Sequence, residues 1–162
     1  MSVVYHYAPW AYLPQMVTTG ELRPSNAEAE GERAMLWFSA HSYWEPTATK
    51  SIRIGDAVQW LTFDEQVQRF GCVRFALAAD DVRLMDWKTA CKTAGTPREK
   101  RRALERAGIK RGANPDHWFA TAVPIPLSDV RLQVFGGSWN DADPLEMADA
   151  WIRRHAQTGS SN

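Results

Sequence analysis

Cysteine is scarce. Cys72 and Cys91 are the only two in 162 residues, nineteen positions apart and outside any C-x-x-C spacing. The four histidines, His6, His41, His117 and His155, do not cluster with them. A structural zinc site needs about four such ligands at close spacing, so the sequence predicts two reduced thiols and no metal. No apolar run approaches the ~18 residues of a membrane span, so no membrane association is expected. The first residues lack a basic stretch followed by an apolar one, so no secretory leader is expected and the reading is a cytoplasmic protein. An excess of one charge is lacking too: 19 basic and 19 acidic residues cancel. That excludes gross electrostatic capture of nucleic acid and leaves a local patch open.

Familiar catalytic signatures are also missing. There is no G-x-x-x-x-G-K-[ST] phosphate loop, no G-x-G-x-x-G after a strand, no G-x-S-x-G elbow and no H-E-x-x-H. These absences count against an NTPase, a Rossmann dehydrogenase, a serine hydrolase and a zinc peptidase. With 44% apolar and 23% charged residues, the chain is an ordered globular one. Length predicts one domain of roughly 150 residues, drawn here as 1–157 with a frayed tail at 158–162. Tryptophan is abundant at eight, and most should lie in or beside the core.

Val3-Val4-Tyr5-His6-Tyr7 is rich in β-branched and aromatic residues and predicts a first strand. Trp10, Leu13, Met16 and Val17 recur at helical spacing. Pro9 suits the start of that helix, Pro14 should kink or shorten it, and Gly20 should stop it. Residues 25–34 are small and polar and read as an exposed loop. Residues 35–39 predict a strand buried on both faces. Residues 40–50 look irregular, and 51–61 extended around Gly55-Asp56. Thr62 and Glu65 have capping-box spacing, predicting a short helix to about Arg69 that Gly71 ends. Residues 73–77 and 82–85 read as strands, with a helical turn from Asp86. Thr96-Pro97-Arg98-Glu99 combines a capping threonine, a proline and a glutamate, predicting a helix to about Ala107. Residues 118–122 and 130–135 read as strands, and Gly136-Gly137-Ser138 as a turn. Asp143-Pro144-Leu145-Glu146 opens a last helix with Leu145, Ala148, Ile152 and His155 on one face. The expected fold is α+β: a single compact domain of about six short, mostly antiparallel strands with interspersed helices, without the βαβα order of a doubly wound sheet.

The first half has a distinctive order. A strand carries His6-Tyr7, a helix and Gly20-Glu21-Leu22-Arg23-Pro24 follow, and a loop leads to Leu36-Trp37-Phe38-Ser39-Ala40 and then Tyr43-Trp44. Later come Trp118-Phe119-Ala120-Thr121-Ala122 and Pro124-Ile125-Pro126. This order resembles the ADP-ribosyltransferase superfamily, over about residues 3–50 and 114–135. The resemblance implies a split sheet, NAD as the bound nucleotide, and transfer of ADP-ribose to a nucleic-acid or protein acceptor. It implies His6 on a ribose hydroxyl, the backbone at Tyr7 and Ala8 on the nicotinamide amide, Ser39 supporting the ribose, and Tyr43 or Trp44 stacked on the ring. A carboxylate would stabilise the oxocarbenium-like charge. Where the family has a late-strand glutamate this chain has Asp116; Glu45, directly after Trp44, is the alternative.

A second pattern stands apart from that resemblance. Residues 97–111 hold seven basic and two acidic residues, a net +5 in a neutral chain. Arg98, Arg102 and Arg106 fall at i, i+4 and i+8, on one helical face. This supports a different reading, a non-catalytic nucleic-acid- or protein-binding module. Neutralising about five phosphates of duplex DNA would give a slope near −4.5 for log K against log salt.

Overall fold

The computed structural model describes residues 2–25 and 29–156. The middle of the expected 25–34 loop and the expected tail at 158–162 lie outside the described residues. Along the chain run β1 (Val3–Ala8), α1 (Leu13–Thr19), β2 (Glu21–Leu22), β3 (Leu36–Ser39), β4 (Ser51–Ile54), β5 (Ala57–Trp60) and α2 (Phe63–Phe70). Then come β6 (Val73–Ala78), β7 (Met85–Asp86), α3 (Trp87–Ala94), α4 (Arg98–Lys110), β8 (Trp118–Thr121), β9 (Ile125–Pro126), β10 (Arg131–Phe135), β11 (Trp139–Asp141) and α5 (Pro144–Ala156).

The fold is α+β and antiparallel. Seven strands form one sheet in the order β11-β10-β6-β1-β3-β8-β7, with β2-β9 and β4-β5 as separate pairs. Eleven strands thus stand among the described residues where about six were expected. The surplus consists of two- and three-residue strands, too short for alternation to reveal, and of the β4-β5 hairpin, which occupies the stretch read only as extended.

The sheet has two chemically different faces. Side chains alternate along a strand, so Val4, His6 and Ala8 of β1 point one way and Tyr5 and Tyr7 the other. The first face carries the aliphatic core: Val4, Leu36, Phe38, Phe75 and Leu132, with Leu13 and Ala148 of α1 and α5 packed over it. The second face is aromatic, with Tyr5, Tyr7, Trp44 and Ala76 under Phe63 and Val67 of α2. Farther along the same face, Ala90 and Ala94 of α3 cover Ala120 of β8.

Local signals explain several boundaries. Thr62 and Glu65 close a reciprocal capping box at α2. Gly20 ends α1 in the left-handed region at φ 73°, which favours glycine. Pro14 causes no kink: a 3₁₀ turn at Trp10–Tyr12 precedes α1, and the proline falls in the first turn, where its missing N–H is harmless.

Four expectations need correction. Trp37 is 38% exposed, so β3 is not buried on both faces. The alternating strand at 73–77 is buried throughout its first five residues, Arg74 included, because it lies mid-sheet between β1 and β10. Helix α4 runs through Gly108 to Lys110, and no side chain caps its start; the Thr96 hydroxyl donates instead to Glu32 Oε2 at 2.7 Å. On α5, Leu145 and Ile152 of the expected face are 64% and 53% exposed; Ala148 does face the core, with Met147 packed beside it.

Candidate functional site

The resemblance placed half of its candidates, Ser39, Tyr43, Trp44 and Glu45, around the end of β3, and the structure gives that segment a dense set of bonds. The Ser39 hydroxyl donates to Glu45 Oε2 at 2.6 Å and accepts the His41 N–H at 3.0 Å. Glu45 precedes a 3₁₀ turn, and its Oε1 accepts the Thr47 hydroxyl at 2.7 Å and the Thr47 N–H at 3.2 Å. The carboxylate is buried, and both its oxygens are bonded within its own loop.

Three successive carbonyls of that loop are held by donors from three strands. Tyr7 of β1 donates its hydroxyl to His41 O, Arg74 of β6 donates Nη1 to Ser42 O, and Trp139 of β11 donates Nε1 to Tyr43 O at 2.8 Å. Arg74 lies between the rings of Tyr5 and Trp139, 4.0 and 4.4 Å from their centroids. Its Nε donates to Gln133 Oε1 at 2.6 Å, and Gln133 Nε2 donates to Asp141 Oδ1 at 2.7 Å. Burial raises the Tyr7 phenol pKa, against the opposing pull of Arg74. Trp44 is buried against Phe63 at 4.5 Å and Tyr7 at 5.0 Å. Tyr43 is 54% exposed, edge-on to Phe63 and Phe135.

The structure therefore brings Tyr7, Ser39, Tyr43, Trp44 and Glu45 together and leaves His6 and Ala8 on the opposite sheet face. His6 sits beside Phe38 and Phe75. Its Nδ1 lies 2.8 Å from Trp37 O. A carbonyl only accepts, so Nδ1 carries the proton. Burial holds the imidazole below its ordinary pKa. Asp116 is exposed in the 3₁₀ turn before β8, with its N–H on Asn114 Oδ1 at 3.0 Å. No bond joins it to Glu45 or Ser39. Burial raises the thiols of Cys72 to about 12 and Cys91 to about 11, and the two are not bridged.

The second candidate region is α4 with its neighbour α3. Helix α4 turns Arg101, Glu105 and Gly108 inward, and its other residues are exposed. Glu105 Oε1 accepts Trp87 Nε1 at 2.7 Å. Gly108 lies flat on Trp118: a Cβ there would stand 2.5 Å from the indole ring. The helix is thus carried on two tryptophans, with Arg98, Arg102, Arg106 and Lys110 displayed at four-residue steps. Among the described residues, none of these four has a carboxylate partner within 4 Å. Just past the helix, the Arg111 guanidinium lies 4.5 Å over the Trp60 ring, and Trp60 on β5 is 56% exposed.

Sequence reasoning missed two parts of this surface. Lys88 and Lys92 are exposed one turn apart on α3, and they face Arg98 and Arg101 across a pocket of about 480 Å³. Their i, i+4 spacing was the available signal. The nearness of Trp60 to α4 had no local signal, because it depends on how the β4-β5 hairpin folds back.

Among the described residues no three His, Cys, Asp or Glu side chains gather to hold a metal ion, and no helix is long and apolar enough to cross a membrane. The chain matches no protein-family model, and no curated protein or solved structure is similar to it.

Proposed function

We propose that the protein binds nucleic acid along the exposed face of α4. One observation carries the reading: a row of four cations, Arg98, Arg102, Arg106 and Lys110, runs the length of the helix with no carboxylate partner among the described residues. Surface cations are commonly paired or scattered. An unpaired row at helical pitch in a chain of zero net charge is a local positive field suited to a phosphate backbone. The exposed Trp60 under Arg111 favours nucleic acid over an acidic protein surface, because an aromatic face beside cations can stack a base. The test is anisotropy of a labelled single strand and of a duplex across a salt series. Five contacts, from the four row cations and Arg111, give slopes of about −3.5 for a single strand and −4.5 for a duplex. A slope near zero would sink the reading.

A second reading keeps the ADP-ribosyltransferase resemblance. It is favoured by the gathering of Tyr7, Ser39, Tyr43, Trp44 and Glu45 around one loop on one sheet face. It requires NAD to bind there without His6, and Glu45 to release the bonds that hold its loop. Thermal unfolding with ~5 mM NAD tests it: a Kd of about 100 µM would add ~2.3 kcal/mol of stability, and no shift in Tm would remove it.

A further inference from the structure

We infer that the pocket between α3 and the start of α4 binds a terminal phosphate, a phosphomonoester dianion at the end of the strand lying along α4. The inference rests on the nucleic-acid reading for the rest of the ligand, and the pocket itself stands on its own geometry.

The pocket has a volume of about 480 Å³, and its lining includes Lys88, Lys92, Arg98 and Arg101 with no acidic residue. That volume lies within the range of small-ligand sites. The two nearby carboxylates already have partners, and each also touches one lining residue. Glu32 takes Lys100 at 2.5 Å and the Thr96 hydroxyl at 2.7 Å, and Glu105 takes the Trp87 indole. Lys88, Lys92 and Arg98 have no carboxylate within 4 Å among the described residues. Arg101 Nε is buried and makes no hydrogen bond; Glu105 stands 3.6 Å from it. A buried guanidinium N–H without an acceptor is costly, and an oxygen from a ligand would supply one.

The start of α4 adds a second, independent contribution. The thirteen-residue helix begins at Arg98 after Pro97, and no side chain caps its first turn. The first N–H groups of a helix have no partner within it, and the dipole places positive potential there. Thr96 and Arg98, on either side of that start, line the pocket.

The chemistry selects an end group over an internal phosphate. A phosphodiester carries one negative charge and two free oxygens. A phosphomonoester carries about −1.5 to −2 near neutral pH and offers three acceptor oxygens. Four cations around one concave site, with an uncapped helix start beside them, match the second. The exposed row on α4, one cation per turn, matches the first.

The experiment compares three otherwise identical short single strands, with a 5′-phosphate, a 3′-phosphate and neither, by anisotropy at one salt concentration. A phosphorylated strand should bind about tenfold more tightly than the unphosphorylated one. Lys88→Ser with Lys92→Ser should erase that difference and lower the affinity for the unphosphorylated strand far less than Arg102→Ser with Arg106→Ser does. Arg102→Ser with Arg106→Ser should weaken every strand and keep the ratio. Calorimetry with inorganic phosphate separates the sources. Phosphate binding that is lost in the lysine variant, with no strand bound, keeps the pocket and overturns the nucleic-acid reading. Strand binding that ignores the end group overturns the pocket and keeps that reading. If neither probe binds, both fall.

Discussion

The loop after β3 and the α3–α4 surface are both rich in polar groups, and they direct them in opposite ways. Around Glu45 the groups face inward and satisfy one another: Ser39 and Thr47 hold the carboxylate, and Tyr7, Arg74 and Trp139 hold three carbonyls. On α4 the inward groups are few, and Arg98, Arg102, Arg106 and Lys110 face solvent with no carboxylate partner among the described residues. Buried polar groups that are fully bonded give rigidity and a unique arrangement. Unpaired charges held on a rigid support are available to a ligand. Polar density alone therefore does not mark a site; what matters is which groups still lack a partner.

The strongest way to break this contrast is to reverse the row. Arg98→Glu with Arg102→Glu and Arg106→Glu should cost at least about a hundredfold in nucleic-acid affinity, ~2.7 kcal/mol. It should also make the single-strand salt slope shallower by about 2. Stability should move by no more than ~0.5 kcal/mol, because these are exposed positions; an affinity unchanged by the reversal would return α4 to a merely solvated face.

Glu45→Ala should do the reverse. It leaves the Thr47 N–H and the Ser39 hydroxyl without their acceptor, at a cost of about 2 kcal/mol in urea unfolding. Nucleic-acid affinity should stay at the wild-type value. If affinity fell while stability held, the loop would be part of the site.

Gly108→Ala sharpens the comparison at the seat of α4. Helix propensity alone favours alanine by about 1 kcal/mol. The new Cβ would press on Trp118, and overpacking costs roughly 1–3 kcal/mol. A net loss of about 1 kcal/mol is expected, read as a lower Tm; a gain would mean that the indole moves aside freely.

The smallest effect belongs to His6. Its folded pKa lies below the ordinary 6.5, chiefly through burial. As pH falls below 6.5 the unfolded chain takes up a proton that the folded chain resists, so stability present above 6.5 is lost on acidification. The carboxylates of Glu32 and Asp81 are also shifted downward, so their loss begins at lower pH, below about 4.5. His6→Gln should flatten the dependence of Tm between about pH 7 and 5. An unchanged slope would place the imidazole in contact with water.

Much of the fold was legible where the cause is local. The capping box at Thr62 and Glu65 and the left-handed stop at Gly20 are written within a few residues. At Thr96 a local signal misled, because a hydroxyl that could have capped α4 found Glu32, sixty-four positions away. The short strands β7 and β11 exist only because the sheet offers them a neighbour. The candidate site was less legible. His6 and Tyr7 are adjacent in a strand, and alternation already sends them to opposite faces. The basic helix could be read from spacing, but its partners Lys88 and Lys92 and the Trp60 platform come from the way separate segments pack.

The strand order has a kinetic consequence. In the centre of the sheet Val3 pairs with Ala78, and Leu36 with Thr121, so the middle ladders join segments far apart in sequence. Long loops must close before these contacts form. Such non-local pairing puts a domain toward the slow end of two-state folding, milliseconds to seconds. Until then β1, β3 and β6 are exposed apolar segments, open to pairing with other chains. In the finished sheet only strands of two and three residues, β7 and β11, are left at its edges, and edges that short offer little template for association. For the seven-stranded sheet, the hazard of aggregation therefore belongs to the time spent folding rather than to the folded state.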